Sequence, residues 1–230
     1  EVVNALSETV IENYSKTAHR YYKIKASWLG ADHINYWDRN APLPEARGST
    51  ISWERAKNIV IHSYHEFEPQ MAQIAKQFFD NPWIDACPRQ GKDPGAFSHP
   101  TVPMVHPYIL LNYNGRPRDV MTLAHELGHG IHQVLAANQG YLLAETPLTL
   151  AETASVFGEM LTFQSLLREV DTRSSRKVLL ASKVEDMLNT VFRQISFLEF
   201  EQKVHLERRK GEVDPERLSE IWIASQRESL

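Results

Sequence analysis

The chain has 230 residues, of which 42% are hydrophobic and 23% charged, a composition ordinary for a soluble globular protein of one large or two small domains. Its net charge of -4 leaves no basic footprint for nucleic acid, and no apolar run approaches membrane-spanning length. The single cysteine, Cys87, excludes an intrachain disulfide framework and favours a reducing compartment, and with no signal peptide in view the expectation is a cytoplasmic protein.

In chain order, residues 1–29 read as a helix. Val2, Leu6, Val10, Tyr14, Ala18, Tyr21 and Tyr22 form its apolar stripe, and Gly30 is a natural stop. The absence of Met at position 1, apparently inside a helix, suggests a piece of a longer protein. A polar, Pro-containing connector runs from Asp32 to Ser49. Residues 52–80 look helical again, opened by Ser52 and stopped before Pro82. Trp83 to Cys87 reads as a short strand, and Arg89 to Gly95 as a turn-rich loop. Ala96-Phe97-Ser98 and Tyr108 to Tyr113 read as two more strands, the second ending at Asn114-Gly115. The remainder is helical: 119–138, then after a loop from Asn138 to Pro147 helix 149–170, then a long helix over about 174–208 ended by Gly211. Asp214-Pro215 opens a last helix as N-cap and first-turn proline. The expected fold class is mainly α with a small antiparallel β-sheet, an α+β arrangement.

The stretch Asp119 to Gln133 carries the chemistry, because it contains His125-Glu126-Leu-Gly-His129. Two histidines four apart on a helix lie one above the other, so both imidazoles can reach one cation. Glu126 is turned about 100° round the helix from His125. There its carboxylate can lie beside the metal without occupying a ligand position. A zinc peptidase needs two nitrogen ligands and a base that takes a proton from the metal's water. The window is helical by pattern: Val120, Leu123, Ala124, Leu127, Ile131, Val134 and Leu135 recur on one face. Asp119 reads as the N-cap after Pro117. Gly128 and Gly130 each cost roughly 1 kcal/mol of helix propensity against Ala, so close approach of another backbone or of a substrate must favour them. The bland alternative is a surface helix with a fortuitous histidine pair.

A catalytic zinc site has three protein ligands and an open position. Glu152 is the candidate third ligand. It opens the next helix, which should lie antiparallel to the first, and Leu150, Ala151, Ala154 and Phe157 surround it with apolar character. The competing reading is a solvated first-turn glutamate favouring the helix dipole. Glu159, two turns further along the same face, either accepts a hydrogen bond from a ligand histidine, fixing its tautomer, or is simply exposed. His132 reads as non-ligating, and Cys87 as a buried structural cysteine rather than a ligand.

These residues are not isolated. Trp83-Ile-Asp85, Gly95-Ala-Phe-Ser98, His106-Pro-Tyr-Ile-Leu-Leu-Asn-Tyr113, Thr122-Leu-Ala-His-Glu-Leu-Gly-His129 and Ala151-Glu-Thr-Ala-Ser155 with Glu159 run in order along nearly the whole chain, with Phe192 to Glu201 a weaker sixth segment. On them the chain resembles the thimet-oligopeptidase family of zinc metallopeptidases, specifically its oligoendopeptidase F branch. The resemblance implies a zincin-like catalytic core, with the His-Glu-x-x-His helix against a second ligand-bearing helix. It implies one Zn2+ per chain held by His125, His129 and Glu152, with Glu126 as general base. It also implies a cleft lined by Gly95, Ala96, Phe97, Tyr108 and Tyr113, where a strand edge holds an extended peptide. Short peptides are the expected substrates, with neither nucleic acid nor membrane as partner; oligomeric state and cleavage specificity are left open.

Family members also carry a helical N-terminal lobe, and a C-terminal Gly-rich segment with His and Tyr that stabilises the oxyanion. Neither has a counterpart here, so residues 1–230 are expected to form a single catalytic-core domain of a longer peptidase. An enzyme lacking one oxyanion donor typically loses ~10²–10³ in rate, so the expectation is a zinc-binding chain with weak turnover or none. The alternative from another functional class is a non-catalytic helical scaffold or regulator with a vestigial metal site. The complete set of His125, Glu126, His129 and Glu152 argues against it, since decay would strike the base first.

Overall fold

The computed structural model describes residues 2–44 and 50–228. The chain divides into two compact units, Glu1–Ala46 with Lys177–Leu230, and Arg47–Arg176. Both are dominated by helices, and among the described residues the strands are confined to the second unit.

In the first unit, α1 (Val2–Leu29) ends in a Schellman motif. Gly30 takes φ +69°, and the Ala31 and Gly30 amides donate to the carbonyls of Ala26 and Ser27. The other helices are α6 (Arg173–Arg208) and α7 (Pro215–Glu228), the latter capped by Asp214, whose side chain accepts from the Arg217 amide. Ala18, Tyr21, Leu43, Ala181, Leu188 and Phe192 make the core. At its edge the Lys25 ammonium, 1% exposed, is paired with Glu185 at 2.7 Å and donates to the Arg39 carbonyl. The Tyr21 hydroxyl donates to the same Glu185 carboxylate and to the Ala181 carbonyl. The apolar stripe read from sequence in α1 is buried only in part, since Val2, Leu6 and Tyr14 are exposed.

The second unit opens on α2 (Trp53–Phe67), with Ser52 accepting from the Arg55 amide as its N-cap. The expected single helix over 52–80 is two. Glu68 is extended (φ -154°, ψ 116°) because it precedes Pro69, and its side chain caps α3 (Pro69–Asp80) through the Gln70 amide. The strands β1 (Ile84–Asp85), β2 (Phe97–His99) and β3 (Tyr108–Leu110) form one sheet in the order β1-β3-β2. The sheet is mixed: β2 pairs antiparallel with β3 as expected, whereas β1 pairs parallel. The parallel contact continues past the short strands, with the amides of Leu111 and Tyr113 donating to the carbonyls of Asp85 and Ala86.

Helix α4 (Pro117–Ala136) begins at Pro117, whose missing N–H is an unpaired helix donor in any case. Asp119 is therefore at N3 rather than the N-cap, and its carboxylate accepts from the Arg116 and Asn114 amides. α5 (Leu148–Glu169) packs against α4. The unit's core is built from Ala56, Val60 and Tyr64 of α2, Ala75 and Phe78 of α3, Ile109 and Leu111, and Val120, Leu123, Ala124 and Leu127 of α4.

Candidate metal centre

The α4–α5 contact is closer than helices carrying side chains can make. A Cβ on Gly128 would stand 2.8 Å from the Ala154 carbonyl oxygen and from the Ser155 Cα. On α5, a Cβ on Gly158 would stand 2.6 Å from the Tyr64 hydroxyl, which donates to the Ala124 carbonyl at 2.6 Å. Gly130 serves a side chain instead: Phe78 would lie 2.8 Å from its Cβ. The backbone approach inferred from the glycines is thus met at Gly128.

This approach brings three side chains together. His125 and His129 of α4 and Glu152 of α5 present ligand-type atoms all within 4.8 Å of one another. His125 Nε2 lies 3.4 Å from Glu152 Oε2, and His129 Nε2 lies 3.5 Å from Glu152 Oε1. The ring centroids are 4.9 Å apart and nearly perpendicular. Glu152 is not in the apolar setting expected of it. Its side chain is 53% exposed, and Leu150 and Phe157 beside it are exposed as well. The site therefore opens to solvent on the α5 side.

Each member has an outer partner, and α5 supplies all of them. The Glu159 carboxylate is 3.3 Å from His125 Nδ1 and is buried, so it takes the hydrogen-bonding position rather than the exposed one. The Ala151 backbone lies beside the His129 ring and favours its charged form. The Ser155 hydroxyl, fully buried, lies 3.1 Å from Glu152 Oε2. Ser155 was quoted in the sequence motif without a role; its i+3 spacing from Glu152 was the available signal.

Glu126, beside His125 on α4, is only 6% exposed. Burial, with the Glu152 charge adding to it and His125 opposing it, pushes its carboxyl up to about 7. Burial alone would lower His125, but the Glu159 hydrogen bond and the charges of Glu126 and Glu152 outweigh it and raise the ring's pKa. Burial and the neighbouring His125 lower His129. A site that concentrates carboxylates on two imidazoles is one where positive charge is favoured, and two imidazoles with one carboxylate suit zinc among divalent ions.

His132 is half-buried near the site and is not one of the converging ligand atoms. Cys87 is exposed, not buried as expected, because the segment after β1 runs along the surface; it lies outside the cluster. The predicted cleft residues lie along the sheet. Gly95 donates its amide to Asp93 and its carbonyl accepts from Asn112. Ala96 precedes β2, while Phe97 on β2 and Tyr108 on β3 are exposed and pair with Leu110 and His99 respectively. Tyr113 turns away: its hydroxyl donates to the Ile51 carbonyl at 2.7 Å and its ring meets Trp53 edge-on. Strand β2 is tied to α4 by a reciprocal pair, Ser98 Oγ to Gln133 Oε1 at 2.8 Å and Gln133 Nε2 to the Ser98 carbonyl at 3.0 Å.

A mainly helical unit with a small mixed sheet thus sets the His-Glu-x-x-His helix against a carboxylate from the next helix. The model of Peptidase family M3 matches residues 1–230, and the chain belongs to that family. It is 30% identical over 228 residues to Oligopeptidase PepF of Bacillus subtilis (strain 168), covering 95% of this chain and 34% of that protein. It is 32% identical over 207 residues to the chromosomal Oligoendopeptidase F of Lactococcus lactis subsp. cremoris, covering 88% and 34%. The chain thus spans about a third of the length of the curated relatives it matches. Among solved structures it is similar to a putative peptidase from Chlamydophila abortus, with TM-score 0.75 and 29% identity, covering 99% of this chain and 38% of that one. A putative oligoendopeptidase F from Bacillus anthracis str. Ames shares the fold, with TM-score 0.81, 18% identity and coverage of 99% and 41%.

Proposed function

We propose that this chain is the catalytic core of a cytoplasmic zinc endopeptidase acting on short peptides, with one zinc ion held by His125, His129 and Glu152. The observation that carries the reading is the convergence of these three side chains within 4.8 Å beside the buried Glu126. His125, His129 and Glu152 would hold the zinc ion, which would supply an acidified water and a Lewis acid for a peptide carbonyl.

The chain's own residues do the rest. Glu126 takes the proton of the attacking water and later passes it to the leaving amine, a task suited to a carboxyl whose burial keeps it near neutrality. Glu159 fixes His125 through Nδ1 so that its Nε2 faces Glu152, as Nε2 of His129 does. The edge strand β2, held to α4 through Gln133, is placed to receive an extended peptide by main-chain hydrogen bonds, with Gly95, Ala96, Phe97 and Tyr108 along it. Tyr113 follows on the same segment, its hydroxyl held by the Ile51 carbonyl.

Elemental analysis of the purified protein should find one zinc per chain, and Glu152→Ala, left with two imidazoles, should copurify with much less and bind it measurably more weakly. In a chain extended to the length of its relatives, Glu126→Gln should keep the zinc and lower peptide turnover by at least ~10². Turnover of the Glu126→Gln protein near the wild-type rate would remove the assigned base. Full zinc occupancy without peptidase activity in the extended wild type would instead favour a vestigial site.

A further inference from the structure

Glu152 poses a question of order. A glutamate side chain that is half exposed gives up rotamer freedom when it is fixed. Yet its two oxygens face two different imidazoles at 3.4 and 3.5 Å. Among the described residues, the hydrogen-bond donor to this carboxylate is Ser155, one turn along α5. Ser155 is fully buried against α4, where its Cα and the Ala154 carbonyl oxygen together exclude a side chain from Gly128. Its own position is therefore set by the packing of two helices. The hydroxyl is shared between Glu152 Oε2 at 3.1 Å and the Glu152 carbonyl at 3.0 Å. A serine that merely back-bonds to its own helix makes the second contact; the first aims at the carboxylate.

Of the other two members of the site, His125 is anchored from α5 by Glu159, and the Ala151 backbone of the same helix lies beside His129. Ser155 completes the set. We infer that Ser155 is a positioning residue for the metal centre: its buried hydroxyl holds Oε2 of Glu152, orienting the carboxylate toward both histidines. This rests on the reading that His125, His129 and Glu152 bind a divalent ion. It adds that the third ligand is pre-oriented by a neutral hydroxyl rather than left to swing in solvent. Removing such an outer partner typically weakens metal binding 10–100-fold.

The test is a zinc titration against a chromophoric chelator, on the wild type, Ser155→Ala, Glu152→Ala and the double variant. Ser155→Ala should bind zinc 10–100-fold more weakly than the wild type, while its metal-free thermal midpoint stays within a degree or two. In the Glu152→Ala background, Ser155→Ala should change the affinity no further, because the hydroxyl then has no carboxylate to hold. Unchanged affinity in the single variant would overturn the inference and leave the metal site standing. So would an equal loss with and without Glu152, which would assign Ser155 to helix packing. A wild type that binds no zinc would remove the metal reading itself, and this inference with it.

Discussion

Charge placement at single residues sets both the site and its supports. Asp85 shows this away from the metal centre. Its carboxylate receives Arg89 through two bonds of 2.7 Å and Lys92 at 3.0 Å, and these hydrogen bonds hold its pKa well below the ordinary carboxylate range. The Lys92 ammonium, 1% exposed, also donates to the carbonyls of Asp85, Cys87 and Leu111, closing the loop that precedes the edge strand. A depressed carboxylate contributes stability present above its unfolded value of about 4 and lost as pH falls through the lower folded value. Because Asp85 is 39% exposed, solvent screens much of that contribution. The wild type should therefore exceed Asp85→Asn in thermal midpoint by a few degrees at neutral pH, and the gap should close in strong acid. Melting curves across pH test this; a gap that widened on acidification would contradict it.

At the scale of elements, the site depends on how closely α4 and α5 approach. Gly128→Ala gains about 1 kcal/mol of helix propensity. It also places a methyl 2.8 Å from backbone atoms of Ala154 and Ser155, which cannot rotate away. Overpacking of this kind costs ~1–3 kcal/mol or more, so it should outweigh the gain. The variant should unfold at lower denaturant and bind zinc more weakly, since separating the helices moves Glu152 from the histidines. Equal stability with unchanged zinc affinity would show that the helix pair yields easily. Two glycines within an otherwise regular stripe already signalled some close neighbour, but not which one: Gly128 meets a helix backbone and Gly130 the ring of Phe78. The break at Glu68-Pro69 is equally local, because a residue before proline is driven from the helical region to extended backbone.

For the molecule as a whole, the candidate centre lies within the unit Arg47–Arg176, while the buried Lys25–Glu185 pair belongs to the other unit. A ligand that binds the folded state alone stabilises it by about 2.7 kcal/mol at a hundred times its dissociation constant. Zinc should therefore raise the calorimetric transition of the unit that holds the site, and Glu152→Ala should diminish the shift. A wild-type profile indifferent to zinc would argue against any metal there.

The residues by themselves determined the helical framework, because caps, prolines and apolar periodicity act within a few positions of each other: Gly30 stops α1, Ser52 opens α2 and Asp214-Pro215 opens α7. They also placed His125, Glu126 and His129 on one helix, where spacing alone sets which side chains are neighbours. Only the tertiary structure decided what meets across elements. It set the parallel partner of β1 and the exposure of Cys87, and it turned Tyr113 toward Ile51. It also put the half-exposed Glu152 against both imidazoles with Ser155 beneath it. Those outcomes follow from the distance between two helix backbones, which is set by every side chain packed around them and by no local pattern.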